Sequence, residues 1–372
     1  MMHKANFNAG PALLPQEVEE KLRRATFDFG GTGLPIWSIS HRSSAIEQMC
    51  GESIELVKEL LNVPKGYSVL FVSGGATTQF KSWIMNISGG RVKTIGYIDS
   101  GHWGNEAIKA ARELEVHSFC SVRILASSAK DKYRFIPYLA NDECHECDFV
   151  HCTTNETANG TQLAFELSPQ YGGGTWVADM TSDIFSRPFP VSCFGLVYAG
   201  AQKNLGIAGA TIVIVRDSLI EDGHKALPAP LSYAEQKKWK GALRNTPDTL
   251  ALCGVYYTLQ WIQKRGGIAE MQKRSRERAS ALYSAIDGSS VFEGVCADYA
   301  RSTMNVLFRL RDQGRHDAFL RLCERHGIVG IKGHSGSDKH YGPHLRASLY
   351  NGQTMENVNL LVDLIKVFDR RN

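Results

Sequence analysis

Two hydrophobic patterns alternate along the first two-thirds of this chain. Continuous apolar runs of about five residues are bounded by glycine or polar residues. They are Ser68-Val-Leu-Phe-Val-Ser73, Thr94-Ile-Gly-Tyr-Ile98, Asp148-Phe-Val-His-Cys152, Thr175-Trp-Val-Ala-Asp179, Gly195-Leu-Val-Tyr-Ala199 and Thr211-Ile-Val-Ile-Val215. Such runs are strands covered on both faces. Between them lie segments of helical period. Glu17 to Arg24 is charged and helix-like, and Asn105 to Glu115 reads as a helix. Ile46 to Asn62 carries apolar residues at 46, 49, 54, 57, 60 and 61 and ends before Pro64. Strands alternating with helices predict an α/β domain with a mostly parallel sheet flanked by helices.

The texture changes after about residue 250. Long helices are predicted over Thr249 to Lys264 and Ile268 to Ile286. A strand over Ser302 to Arg311, a helix over Asp317 to Arg325, a glycine-rich loop from Gly327 to Gly342, a strand near Leu345 to Leu349 and a helix over Met355 to Phe368 follow. This pattern predicts a smaller α+β domain at the C-terminal end. The expected division is a large domain over 16–267 and a small domain made of 1–15 with 268–372.

Composition narrows the class without deciding the function. The chain has 372 residues, 43% apolar and 22% charged, with a formal net charge of +4. At roughly 150 residues per domain this length suggests two domains. So small a charge, without a Lys/Arg block, is no nucleic-acid footprint. No apolar run reaches the length of a spanning helix, and the N-terminus lacks the apolar core of a signal peptide. The nine cysteines are an odd number and read as free thiols of a reducing compartment, hence a cytoplasmic location. The sequons at Asn86, Asn155 and Asn159 are then chance matches.

Three features fall just past predicted strands, where an open α/β sheet builds its site. Ser73-Gly-Gly-Ala76-Thr77-Thr78 turns the chain from a strand into a helix, and free N–H groups at such a start bind phosphate. Asp179 closes an apolar strand, where a carboxylate is costly unless it is paired or hydrogen-bonded. Lys203, in Ala199-Gly-Ala-Gln-Lys-Asn204, stands among small and apolar residues, where lost solvation lowers its pKa and makes it an amine nucleophile. Each has an ordinary reading: a tight turn, a helix cap and a surface lysine. Together they match pyridoxal phosphate. That cofactor needs a lysine for its Schiff base, a carboxylate at its ring nitrogen, a phosphate cradle and a flat partner for its ring. Trp103, in Ser100-Gly-His-Trp-Gly104, supplies a flat face.

The sequence also resembles the phosphoserine aminotransferases, of the class-V, fold-type I aminotransferases. The likeness runs from Asn6-Phe-Asn-Ala-Gly-Pro-Ala12 to Arg346-Ala-Ser-Leu-Tyr-Asn351. It is carried by Ile39-Ser-His-Arg-Ser43, Asn155-Glu-Thr157, Ala199 to Asn204, Asn245-Thr-Pro247, Lys332-Gly-His334 and Arg346 to Asn351. The resemblance implies the fold-type I large domain with pyridoxal 5'-phosphate bound at Lys203. It implies that Asp179 pairs with the ring nitrogen, Trp103 stacks on the ring and Thr157 bonds the phenolic oxygen. The backbone of Ala76 and Thr77, with Gln202, would hold the phosphate. Asn245 and Thr246 would reach it from a second subunit, so a homodimer is implied. Arg346 would clamp the substrate α-carboxylate, and His41, Arg42 and His334 would face the distal phosphate or carboxylate. The implied reaction moves an amino group between L-glutamate and 3-phosphohydroxypyruvate, giving phosphoserine and 2-oxoglutarate in serine biosynthesis. Some bacterial members of this family also handle 4-phosphohydroxythreonine, on the route to pyridoxine.

One stretch departs from the family. Many relatives place an arginine after the Lys-Gly-His motif and then a short link. Here position 335 is serine and the loop from Ser335 to His344 is longer. Lys339 or His340 is the expected substitute charge. The departure leaves open a class-V aminotransferase with another acidic or non-phosphorylated substrate. A non-catalytic binding protein of the same fold is the remaining alternative, and Lys203, Asp179 and Arg346 weigh against it. Cys144-His-Glu-Cys147 with His151 and Cys152 has metal-like spacing, but no second ligand pair accompanies it. Cys323 lies on a predicted helix and reads as core rather than as a loop nucleophile. No G-x-G-x-x-G follows a strand, which argues against a dinucleotide site.

Overall fold

Every apolar run named above forms a strand, and the helical segments between them form helices. The computed structural model describes residues 4–89, 91–139, 144, 146–164, 174–221 and 227–370. The chain opens with β1 (Ala5–Asn6), α1 (Gln16–Ala25) and α2 (Ser44–Leu60). Next come β2 (Tyr67–Val72), α3 (Gly75–Ile87), β3 (Lys93–Asp99), α4 (His102–Glu115) and β4 (Cys120–Ser127). Then follow β5 (Phe149–Thr153), β6 (Asn155–Glu156), β7 (Thr161–Gln162), β8 (Thr175–Asp179), β9 (Phe194–Gly200) and β10 (Thr211–Arg216). Three helices follow: α5 (Asp217–Glu221), α6 (Tyr233–Lys238) and α7 (Thr249–Lys264). The remainder is α8 (Gly267–Asp287), β11 (Phe292–Gly294), β12 (Asn305–Leu310), α9 (His316–Arg325), β13 (Ile328–Val329), α10 (Ser335–Tyr341), β14 (Leu345–Ser348) and α11 (Met355–Arg370).

Seven strands form the main sheet in the order β2-β10-β9-β8-β5-β3-β4. Pairing is parallel from β9 across to β4, and only β10 runs against its neighbours β2 and β9. The sheet is thus mostly parallel, as the pattern predicts. Because β10 reverses twice, β2 and β9 point the same way. The carboxyl ends of β2, β3, β5, β8 and β9 therefore share one edge, and the site is built there.

Both faces of the sheet are covered, as side-chain alternation requires. Ala178, Val197 and Ile212 pack with Ile46 and Met49 of α2 and with Leu252 and Val255 of α7. Their neighbours Val177, Tyr198 and Val213 pack on the other side with Phe80 and Trp83 of α3 and Ile108 of α4. The helices start where the sequence caps them. Ser43 accepts the Ile46 N–H, and Asp248 accepts the Ala251 N–H at 2.8 Å. A separate core joins Ala5 and Phe7 to apolar residues of α8, α9, α11 and the antiparallel sheet β11-β12-β14. In that sheet Arg346 of β14 lies opposite Leu307 of β12.

One expectation is corrected. The stretch from Gly327 to Gly342 is not a continuous loop. It contains β13, which pairs with β1, and the seven-residue α10. Tertiary contacts hold α10 despite its Ser, Gly, Asp and His residues, which are poor helix formers. Ser337 Oγ donates to Ala158 O at 2.9 Å, and buried Tyr341 accepts from Asn159 Nδ2 at 3.0 Å.

Candidate active site

β9 ends at Gly200, and the turn after it carries Lys203 back over the edge of the sheet. The lysine is buried, and its Nζ donates to Thr157 Oγ1 at 2.7 Å. The same nitrogen lies 6.0 Å from the Trp103 ring centroid. Burial brings the Lys203 pKa down to about 8, although Asp179 pulls it upward; Arg346 adds to the lowering. A neutral amine is thereby available close to physiological pH.

Asp179 ends β8, the strand next to β9. Its carboxyl is buried and its Oδ1 accepts the Thr181 N–H at 2.9 Å. Burial pushes its pKa up, while the Thr181 bonds and Lys203 oppose the shift. A buried carboxylate of this kind needs a cationic partner to remain ionised. Thr157 follows β6 and is buried with Lys203. Its carbonyl accepts from Arg346 Nη1 at 3.3 Å. The Arg346 Nε has no protein partner, so the guanidinium keeps a donor in hand. Lys203, Asp179, Thr157, Trp103 and Arg346 therefore form one cluster, although they come from five segments of the chain.

A residue passed over in the sequence organises the edge of that cluster. Glu156 is fully buried in the Asn155-Glu-Thr157 motif. Its carboxylate accepts the Gly104 N–H at 2.8 Å, the Trp103 N–H at 3.0 Å and the Ser100 hydroxyl at 3.0 Å. Burial raises its pKa to about 7 against the pull of these donors. It satisfies the otherwise unpaired first N–H groups of α4 and so fixes Trp103. Gly101 makes the approach feasible, because a Cβ there would fall 2.7 Å from the Glu156 carboxyl carbon. The sequence signal was a charged residue flanked by residues of a buried strand.

His334 stands beside this cluster, 6.3 Å from the Trp103 ring centroid. It also faces a second unanticipated residue, His102, at 4.4 Å between ring centroids. Burial, His102, Arg346 and His344 together bring the His334 pKa down to about 4.

At the start of α3, Gly74 adopts φ 102°, which favours glycine, and no side chain caps the helix. The first-turn N–H groups, including those of Ala76 and Thr77, have no acceptor within the helix. Gln202 lies in the turn just before Lys203, with its backbone carbonyl bonded to the Ala12 N–H at 2.9 Å. Asn245, with Ser73 and Thr78, lines a cavity of about 180 Å³ beside α3. Asn245 and Thr246 are exposed, and neither bonds the Lys203 cluster within the chain. His41 and Arg42 also make their contacts elsewhere. Arg42 lies 5.1 Å from the Trp239 ring centroid. His41 Nε2 is buried without a partner.

His145 lies outside the described residues, and His151 bonds Tyr198 through its ring nitrogen at 2.8 Å. Among the described residues no group of His, Cys, Asp or Glu is placed to hold a metal. Cys323 is buried in the core, and all nine cysteines are free thiols.

The sequence pattern of the class-V aminotransferases matches residues 5–361. The chain belongs to the phosphoserine aminotransferase family of this class. It is 40% identical to the phosphoserine aminotransferase of Phocaeicola vulgatus, over 99% of both chains. Its fold superposes on the phosphoserine aminotransferase of Bacillus circulans subsp. alkalophilus with a TM-score of 0.91, at 38% identity, covering 100% of this chain and 99% of the other. A phosphoserine aminotransferase from Trichomonas vaginalis, solved with pyridoxal phosphate bound, gives a TM-score of 0.88 at 28% identity, covering 98% of this chain and all of the other.

Proposed function

We propose that this protein is a pyridoxal-phosphate-dependent transaminase that moves an amino group reversibly between L-glutamate and 3-phosphohydroxypyruvate, giving phosphoserine and 2-oxoglutarate. The observation that carries the reading is the buried Lys203 amine, set between Thr157 and the Asp179 carboxylate at the edge of the sheet. The residues present fit the cofactor: a desolvated amine, a buried carboxylate lacking a full ion pair, an uncapped helix start and an arginine with a spare donor.

Bound pyridoxal phosphate supplies the electron sink for breaking the substrate Cα–H bond and carries the amino group between the two substrates. The chain supplies the rest. With the cofactor bound, Lys203 Nζ would take the proton off the substrate Cα and hand it to the cofactor, and would reverse that transfer in the second half-reaction, as a neutral amine near its own pKa does efficiently. Asp179 would hold a proton on the ring nitrogen, and the Thr181 N–H favours its ionised form against the effect of burial. Trp103 would cover the ring and exclude water. Thr157 orients both the amine, through its hydroxyl, and Arg346, through its carbonyl. Arg346 presents its planar fork to the substrate α-carboxylate. Ala76, Thr77 and Gln202 are the groups for the cofactor phosphate.

We further propose a cytoplasmic homodimer, in which Asn245 and Thr246 reach the cofactor phosphate of the second subunit and His41 and Arg42 face the distal end of its substrate. The exposure of Arg42, Asn245 and Thr246, and of Trp239 beneath Arg42, supports this reading, as does the buried His41 Nε2 that lacks a hydrogen-bond partner. We also read the chain as two domains, 16–267 and 1–15 with 268–372, because Ala5 and Phe7 pack into the core of the later segment.

The test is a spectrum. Purified protein given pyridoxal phosphate is expected to gain a visible absorbance band that phosphoserine bleaches and 3-phosphohydroxypyruvate restores. A protein that takes up no cofactor refutes the enzyme reading. Bleaching by serine or alanine as readily as by phosphoserine refutes the substrate.

A further inference from the structure

Ser335 follows His334 and opens helix α10, which meets the start of α4. The two elements meet around a cavity of about 80 Å³ lined by His102, Glu106 and Lys109 of α4 and by Lys339 and His340 of α10. Among the described residues lining it, Glu106 is the one acid, and Lys109 already holds it at 2.6 Å. His340 is committed elsewhere, its ring set edge-on to Tyr133 at 5.1 Å. Lys339 is exposed at the rim and acts electrostatically on His102.

We propose that His102 and Lys339 are substrate-binding residues, and that with His334 they form the end of the site that selects a phosphate monoester. This deepens the proposed function and rests on it.

The argument is one of charge and spacing. Two imidazoles 4.4 Å apart repel each other when both are protonated. His102 feels Glu106 and Lys109 from its own helix and Lys339 from α10. His334 feels His102, Arg346, His344 and Asp338. In both, burial is the leading cause of a lowered pKa, so the pair is neutral without substrate. An arriving dianion reverses that balance. It screens the imidazoles from each other, draws protons onto them and gains charge-assisted hydrogen bonds that a neutral hydroxyl does not. Arg346 and His102 both act electrostatically on His334, and Lys339 acts on His102, so the four groups respond together to an arriving anion. A phosphate is favoured over a hydroxyl because only the phosphate recruits the protons.

The experiment compares the cofactor-loaded enzyme with His102→Asn and Lys339→Met. It measures KM for phosphoserine, the kcat/KM ratio of phosphoserine to serine, and the protons taken up on phosphoserine binding, by calorimetry in buffers of different ionisation enthalpy. Both variants are expected to keep the cofactor absorbance, which controls for folding. Loss of one charge-assisted contact is expected to raise KM about tenfold or more and to lower the phosphoserine preference in step. The wild type is expected to take up a proton on binding, and His102→Asn to take up clearly less. If the wild type turns over phosphoserine while both loaded variants keep its KM and proton uptake, this inference falls and the proposed function stands. If the wild type is inert to phosphoserine, both fall.

Discussion

Lys203, Asp179 and Thr157 stand at the ends of strands that are buried on both faces, whereas His102, His334 and Lys339 stand on helix ends and turns that solvent reaches. The first group is fixed by the sheet. Parallel pairing sets Asp179 opposite Tyr198, and the turn beyond β9 then has little freedom in where it delivers the lysine. The second group is fixed by packing between separate elements, α4 against α10, with Glu156 as the anchor. The buried end suits a chemistry that never changes, proton movement at one carbon. The half-open end suits recognition, which must admit and release a charged substrate.

That contrast orders the expected effects of substitution. Lys203→Ala removes the proposed proton carrier, and the transamination rate is expected to drop roughly a thousandfold or more, with far-ultraviolet circular dichroism unchanged. A small loss would mean that the buried end is not the reacting end.

Glu156→Gln tests whether the anchor links the two ends. The Glu156 carboxyl is raised from 4.5 to about 7 in the folded chain. The folded state therefore holds this proton more tightly than the unfolded state. Its stabilising contribution is full below about pH 4.5 and is lost as pH rises through about 7. Wild type should lose up to about 3 kcal/mol of stability relative to the variant between pH 4.5 and 8, read from denaturant unfolding at each pH. A difference independent of pH would show that Glu156 is not buried as described.

Arg346→Lys keeps the charge and loses the fork, so KM for glutamate and for phosphoserine should both rise about tenfold, with cofactor binding retained. A change confined to phosphoserine would move Arg346 from the shared end to the selective end. The smallest effect belongs to the packing of α10. Tyr341→Phe removes a buried hydroxyl that bonds Asn159 and the Tyr133 carbonyl, at a cost of about 1 kcal/mol in thermal or denaturant unfolding.

The same contrast explains what was legible in the sequence. Lys203 and Asp179 were readable because continuous apolar runs mark buried strands, and chemistry in such folds gathers just past them. Trp103, Thr157 and Arg346 followed from motifs. Glu156 was hidden inside one of those motifs, since nothing local shows that its carboxylate turns back to cap a helix fifty residues earlier. His102 was overshadowed by its neighbour Trp103. The helix α10 was invisible because its residues favour a loop, and contacts across the fold, among them the Ser337 and Tyr341 bonds, hold it helical. The reversed strand β10 was likewise unreadable, since an apolar run does not state its direction.

The account centres on Lys203 as the residue that carries the cofactor. Borohydride reduction of the loaded enzyme, followed by peptide mapping by mass spectrometry, tests it most directly. The expected result is a pyridoxyl label on the peptide containing Lys203, absent when phosphoserine is added before reduction. A label on any other lysine, or one at Lys203 that phosphoserine does not displace, would contradict it.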